Sequence, residues 1–417
     1  MVNMSPLKPV RGTHDIFPED SRRMRYVVDT SRILSERYGF EEISTPIFEF
    51  SEVFNKTLGE TSDIVTKEMY TFADKSGDTI TLRPEGTAGI ARAFISAGLF
   101  QELPLKYFYV GPMFRYERPQ KGRLRQFHQF GVELLGVPEP QGDIEVIALG
   151  AAILDELKID QYISLNINTL GNAESRSAYR DQLSEYFKDN KEKLSDESKV
   201  RLDKNPLRIL DSKSDIDRPV IVEAPDILGS LDSESAEFFE AVCVGLDKLG
   251  ISWERNPLLV RGLDYYCHTA FEFTTDALGA QGAVLAGGRY DGLVGQMGGP
   301  PTAGIGWAAG LERFMMLVVD EVAQVRPIAM IPIGKSAEIA AFKLTNSLRR
   351  KGFHIEMGYR GKTKHRMKNA NSINACAAII IGDEEILKSV VTIRDFDTGE
   401  QTLLSMDGLT VYLERFL

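Results

Sequence analysis

Apolar positions recur at helical spacing across residues 22–38, where Met24, Val27, Val28, Ile33 and Leu34 stand among charges and the run stops at Gly39. Residues 40–50 alternate loosely and contain Pro46, which belongs at a sheet edge or bend and makes this stretch a candidate subunit interface. Residues 79–82 predict a short strand running into Arg83-Pro84-Glu85-Gly86-Thr87, followed by a helix over 88–97, so Glu85 and Thr87 lie at a strand-to-helix turn. Two apolar runs, 105–113 and 127–135, flank the charged loop 117–126 and predict an antiparallel hairpin. A helix over 142–157 and a strand over 162–169 follow.

From 173 to 254 the pattern changes to mixed charges and helix formers, broken by Pro206, Pro219 and Pro225, which reads as a helical insertion. Strands are expected again near 258–260, 270–274 and 283–286, and a buried helix over 308–320. Beyond Arg326-Pro327 the order is strand 328–333, helix 337–351, strand 353–357, helix 364–374, strand 377–381, then a hairpin and a last helix. Strands alternating with helices imply a small α/β domain with a parallel or mixed sheet. The expected division is therefore a first domain, 1–326, carrying the insertion, and a second, 327–417.

Composition narrows the function classes. The 417 residues exceed what one core supports, and 43% hydrophobic content suffices for several. With no run of eighteen apolar residues and no signal-like apolar region beside Lys8, Arg11, Asp15 and Glu19, the expectation is a cytoplasmic protein with no membrane partner. Cys243, Cys267 and Cys376 are odd in number and far apart, which suits a reducing compartment. His14, His128, His268, His354 and His365 form no close ligand set, so no protein-built structural metal site is expected. A net charge of −11 argues against wholesale coating of nucleic acid. Nevertheless Lys343, Arg349, Arg350, Lys351, Arg360, Lys362, Lys364, Arg366 and Lys368 face a single acid, Glu356, in one stretch, which makes RNA a candidate partner.

Candidate chemistry concentrates in three places. Arg115 and Glu117 open a loop that carries Arg118, Gln120, Lys121, Arg123 and Arg125, and Arg313 closes the Gly-rich segment 304–313. Guanidinium groups grip phosphate in bidentate fashion and keep their proton, so Arg115 and Arg313 could converge on a polyphosphate. A solvated hairpin tip is the plain alternative for the loop. The alternation of 127–133 weighs against it, because Gln129, Gly131 and Glu133 share one face of the strand and Phe130 and Val132 the other. The remaining places are Leu259-Val260-Arg261-Gly262-Leu263-Asp264-Tyr265-Tyr266 and Ala286-Gly287-Gly288-Arg289-Tyr290-Asp291-Gly292-Leu293, whose glycines allow backbone to approach a ligand closely. Two resemblances fail on spacing: Gly361-Lys362-Thr363 lacks the earlier glycine of a phosphate-binding loop, and Gly304-Ile305-Gly306 is not followed by the spacing of a dinucleotide fingerprint.

From about Arg11 onward the chain resembles the histidyl-tRNA synthetase family of class II aminoacyl-tRNA synthetases. The Pro46 region resembles motif 1, residues 114–133 motif 2 with its loop, residues 304–313 motif 3, and residues 259–266 and 286–293 the two histidine-specific motifs. The resemblance implies an α+β catalytic domain, with a six-stranded antiparallel sheet flanked by helices, a helical insertion, a C-terminal α/β anticodon-binding domain and a homodimer. It also implies that Glu85, Thr87 and Gln129 hold a histidine ammonium and that Glu133 and Tyr266, beside Tyr265, read the imidazole. Arg115 would bridge carboxylate and α-phosphate, Arg261 would approach the α-phosphate in place of a metal, and Glu117, Arg123 and Arg313 would hold ATP with Mg²⁺ on its β- and γ-phosphates. Transfer to the 3′ end of tRNA(His) would follow, with Arg118, Gln120, Lys121, Lys362, Lys364 and Arg366 as tRNA candidates. The base in that transfer stays open between the substrate phosphate and positioning by Gln129. Cys267-His268, directly after the tyrosines, departs from the polar residues the family often places there. A second reading is a catalytically silent relative that serves as a regulatory subunit of histidine biosynthesis.

Overall fold

The alternation on the 127–135 run becomes the centre of a mixed sheet. In the computed structural model, which describes residues 7–59, 62, 64–120, 122–260, 265–279, 282–319 and 324–416, its strands are β1 (Glu41–Glu42), β2 (Leu105–Phe114), β3 (Gln126–Leu135), β4 (Ser164–Thr169), β5 (Glu254–Arg255), β6 (Cys267–Thr274), β7 (Ala283–Arg289) and β8 (Gly304–Gly310). Their spatial order is β1-β2-β3-β8-β7-β6-β4-β5. The six inner strands are antiparallel throughout. The short edge strands β1 and β5 pair parallel to β2 and β4.

The hairpin expected around the charged loop is β2–β3, in register from Leu105 opposite Leu135 to Phe114 opposite Gln126. Phe130, Val132 and Leu134 turn to one face and enter a core with Val146, Ile147, Leu149 and Ile153 of the Pro140–Glu156 helix and with Val27 and Leu34 of the Pro18–Arg37 helix. Trp307 of β8 is buried there, donating Nε1–H to the Val146 carbonyl at 2.9 Å. Burying such aromatic and aliphatic side chains contributes about 1.5–3 kcal/mol each, so this face fixes the register of the whole sheet. The opposite face of β3 carries Gln129, Gly131 and Glu133 and is left for chemistry.

Two expected elements fold differently. The helix expected over 308–320 begins only at Leu311 and ends at Leu317, because Gly304–Gly310 is a strand paired on both sides, with β3 and β7. Its glycines and alanines sit where flanking strands leave little room. No strand forms at 258–260. The Pro257 and Leu259 carbonyls accept instead from Asn168 Nδ2, at 3.3 and 3.1 Å, so a side chain takes the place of a ladder.

Residues 173–232 form the helices Ala173–Asp189, Asp196–Lys204 and Arg218–Val222 with short turns between them. The Ser233–Lys248 helix packs back on the sheet's helical side through Phe239, Val242 and Leu246.

The chain divides into two units, Met1–Asp320 and Glu321–Leu417. In the second, strands Ile328–Pro332, Ile355–Met357, Ala377–Ile381, Val390–Asp395 and Gln401–Ser405 form one sheet. Ile328–Pro332 pairs parallel with Ile355–Met357 and Ala377–Ile381, while the last two strands add on as antiparallel neighbours. The expected order of strands and helices is observed except for one further short helix, Asp383–Leu387, between the Ala377–Ile381 strand and the hairpin.

Candidate active site

A cavity of about 660 Å³ opens over the polar face of β3. It collects Glu85 and Thr87 from the turn before the Thr87–Ser96 helix, Gln129 from β3, Tyr265 and Tyr266, and Arg115, Glu117, Arg123 and Arg313. Residues more than two hundred positions apart thus line one space.

Glu133 is fully buried and bound from two sides. Thr87 Oγ1 donates to its Oε1 at 2.6 Å, and Tyr290 Oη donates to its Oε2 at 2.5 Å. Burial, which outweighs these two hydrogen bonds and is joined by the charge of Glu85, pushes its carboxyl up to about 8. A carboxyl that keeps its proton near neutrality has a donor left for an imidazole nitrogen. Its place depends on Gly306 directly opposite on β8, where any Cβ would overlap the carboxylate.

The raised pKa also sets a pH trend. A carboxyl whose folded value lies above its unfolded value near 4.5 holds its proton in the folded state while the unfolded chain releases it. Its contribution to stability is therefore complete below pH 4.5 and is lost as pH rises towards 8. We expect the melting temperature to fall over that interval less in Glu133→Gln than in the unaltered protein. Identical pH slopes by scanning calorimetry would contradict the assignment.

Glu85 caps the Thr87–Ser96 helix, its oxygens accepting from Thr87 N at 2.7 Å and Ala88 N at 3.0 Å. Burial raises its carboxyl against those two bonds. Gln129 is nearly buried, and its side-chain oxygen has no hydrogen-bond partner among the described residues. An unpaired buried acceptor of this kind costs about 1–3 kcal/mol unless a ligand supplies the donor. The Tyr265 ring lies 4.7 Å from Tyr266 and 5.9 Å from Tyr290, so three tyrosines wall this part of the cavity.

The arginine group enters the same cavity from outside β3, Arg115 and Arg123 from the loop between β2 and β3 and Arg313 from the Leu311–Leu317 helix, and the Arg115 charge reaches Glu85. Arg115 lies over the Phe127 ring at 5.3 Å and donates Nε–H to the Pro84 carbonyl at 2.8 Å. Glu117 lies 3.1 Å from Arg123 and 4.0 Å from Arg115. Arg313 donates to the carbonyls of Gly122, at 3.2 Å, and Ala283. Burial lowers its proton affinity first, repulsion from Arg123 second, and Arg115 adds to it against Glu117 and Glu272. Three guanidiniums facing two carboxylates leave an excess of positive charge, the setting an anion completes. At the foot of the same strand, His128 Nδ1 and backbone N lie 2.9 and 3.0 Å from Glu312, which fixes the helix that carries Arg313.

Several candidates stand elsewhere. Arg261 and Lys121 lie outside the described residues. Arg118 and Gln120 are exposed on the hairpin loop, where Gln120 and Arg123 form a tight backbone bridge. Lys362 and Lys364 are exposed, but Arg366 is buried, donating to the Pro332 carbonyl and to Glu338 at 3.0 Å. Arg366 ties the Thr363–Ser372 helix to its sheet and presents no face to RNA, a correction to its reading as a tRNA contact. Arg366→Ala should cost the C-terminal unit about 2 kcal/mol as the buried Pro332 carbonyl loses its donor. Lys362→Glu with Lys364→Glu should instead leave the melting temperature alone and weaken tRNA binding, flattening its salt dependence by about one unit per lost phosphate contact. Urea titration and binding at several salt concentrations separate the two outcomes, and an unaltered salt slope for the lysine pair would move the contact elsewhere.

Gly287 and Gly288 also serve a different purpose from ligand approach. A Cβ on Gly287 would overlap the Gly306 carbonyl, and one on Gly288 would come 2.6 Å from the Thr269 carbonyl and 2.8 Å from the Tyr266 ring. They let strands and the tyrosine wall close. Arg289, in the same motif, pairs with Asp143 where both are fully buried and so braces the sheet from behind. Tyr290 stands in the same motif, and only the fold reveals its role, the hydroxyl that meets Glu133.

An antiparallel sheet carrying an arginine-lined cavity on one face, with a separate α/β unit after it, is the architecture of class II aminoacyl-tRNA synthetases. The chain belongs to the histidyl-tRNA synthetase family: residues 12–314 match the family described as Histidyl-tRNA synthetase, and residues 328–415 match the Anticodon binding domain. It is 56% identical over 415 residues to the histidine–tRNA ligase of Rhodospirillum rubrum, covering 99% of this chain and 100% of that protein. It is 52% identical over 410 residues to that of Gluconacetobacter diazotrophicus, covering 98% and 99%. The apo histidyl-tRNA synthetase of S. aureus superposes with a TM-score of 0.83 at 35% identity, covering 98% of this chain and 99% of that one.

Proposed function

We propose that this protein activates histidine with ATP, giving histidyl-adenylate and pyrophosphate, and then transfers the histidine to the 3′ end of tRNA(His). The observation that carries the reading is the composition of one cavity, in which Glu85, Thr87 and the unpaired Gln129 oxygen stand with Arg115, Arg123 and Arg313, while the buried Glu133 carboxyl, raised to about 8, takes a hydrogen bond from Thr87 of that lining. A neutral imidazole offers one donor and one acceptor, and Glu133 with Tyr266 can answer both. Glu85, Thr87 and the Gln129 oxygen supply acceptors for the ammonium. The regulatory-subunit reading is not kept, because relatives 50–56% identical over nearly the whole chain are named histidine–tRNA ligases.

In the first step a carboxylate oxygen of histidine attacks the α-phosphorus in line, and the bond to pyrophosphate breaks. Arg115 lies where it can neutralise charge on both carboxylate and α-phosphate, and Arg313 and Arg123 can hold the outer phosphates. Arg261, by family resemblance, approaches the α-phosphate from the other side. Fixed cations act here by electrostatic preorganisation, without proton transfer. Glu117 can orient adenine. Among the described residues no three His, Cys, Asp or Glu side chains are grouped to hold a metal, so Mg²⁺ fits as part of the MgATP substrate, bound chiefly by phosphate oxygens. In the second step the 3′-hydroxyl attacks the adenylate carbonyl and AMP leaves.

The C-terminal unit and the loop residues Arg118, Gln120 and Lys121 are assigned to tRNA, with residues 327–417 as the anticodon-binding domain. No described helix is long and apolar enough to cross a membrane, in keeping with a cytoplasmic site of action. A homodimer is supported by the small sheet of Phe48–Phe50, Thr79–Leu82 and Tyr70–Ala73, which exposes Phe48, Phe50 and Phe72 together. Phe50→Asp should yield monomer in sedimentation velocity, and an unchanged dimer would place the interface elsewhere. The ligase reading itself is tested by ATP–pyrophosphate exchange with each amino acid in turn: exchange with histidine alone is expected, and equal exchange with another amino acid would overturn it.

A further inference from the structure

One wall of the catalytic cavity comes from the helical insertion, where Arg201, Arg208, Asp211 and Lys213 line the space. The loop that carries the last two is held by an unusual polar centre. Asp217 is fully buried, and its carboxylate accepts from Ser195 N at 2.6 Å, Ser195 Oγ at 2.8 Å, Ser198 Oγ at 2.6 Å and Ser212 Oγ at 2.6 Å. Its backbone carbonyl accepts from Val220 and Ile221, so the same residue starts the Arg218–Val222 helix. Burial opposes its charge, but the four donors outweigh burial and keep the group ionised. A buried charge this fully satisfied holds its donors in one geometry, since any departure leaves an ion unpaired.

Ser212 lies between Asp211 and Lys213, so its bond to Asp217 is the tether that fixes both cavity-lining side chains. The far side of the loop is pinned by Arg201, whose Nη1 donates to the Arg208 carbonyl at 3.1 Å. Ser195 and Ser198 bind the same carboxylate from the first turn of the Asp196–Lys204 helix, whose later residue Arg201 makes the contact with the loop. Arg201, Arg208 and Lys213 outnumber Asp211 in this wall and Glu197, which pairs with Arg201 at 2.9 Å, so it keeps a net positive charge, and a triphosphate is the anionic substrate the cavity must hold.

We propose that Asp217 is a positioning residue for adenylation: through Ser212 it holds the 211–213 loop as a cationic wall against the phosphates of ATP. The idea rests on the ligase reading, which exchange by the unaltered protein checks in the same experiment. Ser212→Ala should raise the KM for ATP in histidine-dependent pyrophosphate exchange about threefold to tenfold, the scale of one lost hydrogen bond, with kcat little changed. Ser198→Ala, which takes a donor from the same carboxylate, should leave that KM unchanged, and Ser212→Thr should restore it. Lys213→Ala should raise the KM for ATP by itself, and the double variant Ser212→Ala/Lys213→Ala should be no worse than the more impaired single variant, because the tether acts through the loop it holds. Equal effects of Ser212→Ala and Ser198→Ala would reduce Asp217 to a purely structural role. So would strict additivity in the double variant. A change confined to the KM for tRNA in charging assays, with exchange unaltered, would overturn the assignment to ATP and place the wall against the tRNA 3′ end.

Discussion

Glu133→Ala is expected to reduce kcat/KM for histidine in pyrophosphate exchange by on the order of 10⁴ to 10⁵, the range reached when a site built for polar pairing loses its partner. The substitution deletes the one carboxyl that Thr87 and Tyr290 both address, so those two hydroxyl donors lose their acceptor along with the imidazole. ATP binding should survive, since Arg115 and Arg123 lie on the loop between β2 and β3 and Arg313 on the Leu311–Leu317 helix, while the hydrogen bonds to Glu133 come from Thr87 and Tyr290. Glu133→Gln should recover part of the loss, because an amide offers both a donor and an acceptor in the same place and is neutral, like the carboxyl with its pKa raised to about 8. Steady-state exchange at several histidine concentrations, with ATP binding measured by calorimetry, reads both effects. A loss below tenfold would show that the imidazole is recognised by other groups.

Arg115→Ala should lower kcat for exchange by about 10² to 10³ while changing the KM for histidine much less, the pattern of a cation used mainly in the transition state. Geometry explains why the effect should fall on kcat. The Pro84 carbonyl and the Phe127 ring already orient the guanidinium before any ligand arrives, so little reorganisation remains when charge develops on phosphorus. Arg115→Lys should rescue little, because an ammonium cannot bond Pro84 and still present two parallel donors to an oxyanion. Full rescue by lysine would reduce Arg115 to a point charge. Arg313→Ala, in contrast, should act mainly on the KM for ATP.

Legibility in the sequence followed from how local each feature is. The β2–β3 hairpin and the polar row of Gln129, Gly131 and Glu133 could be read directly, because strand periodicity assigns faces without knowledge of the rest of the fold. The C-terminal alternation of strand and helix was equally plain. Misreadings arose where a residue's environment is set by distant chain. Ala308 to Gly310 has the composition of a helix but lies in a strand between two others. Arg366 sits in a run of charges that suggests a solvated face, while its guanidinium turns inward to Pro332 and Glu338. Arg289 and Asp143 meet across nearly 150 residues, and no spacing announces such a pair. The contact of Tyr290 with Glu133 and the serine cluster around Asp217 belong to the same kind. Charge and hydroxyl groups carry no periodicity of their own, so their partners emerge only from packing.

The most direct test of the account is charging of a tRNA(His) transcript with labelled histidine, in the presence of MgATP, with a transcript for a different amino acid in parallel. The account predicts acid-precipitable histidine on tRNA(His), released by mild base as expected of an ester, and little on the other transcript. Folded protein that forms the adenylate yet leaves tRNA(His) uncharged would contradict it.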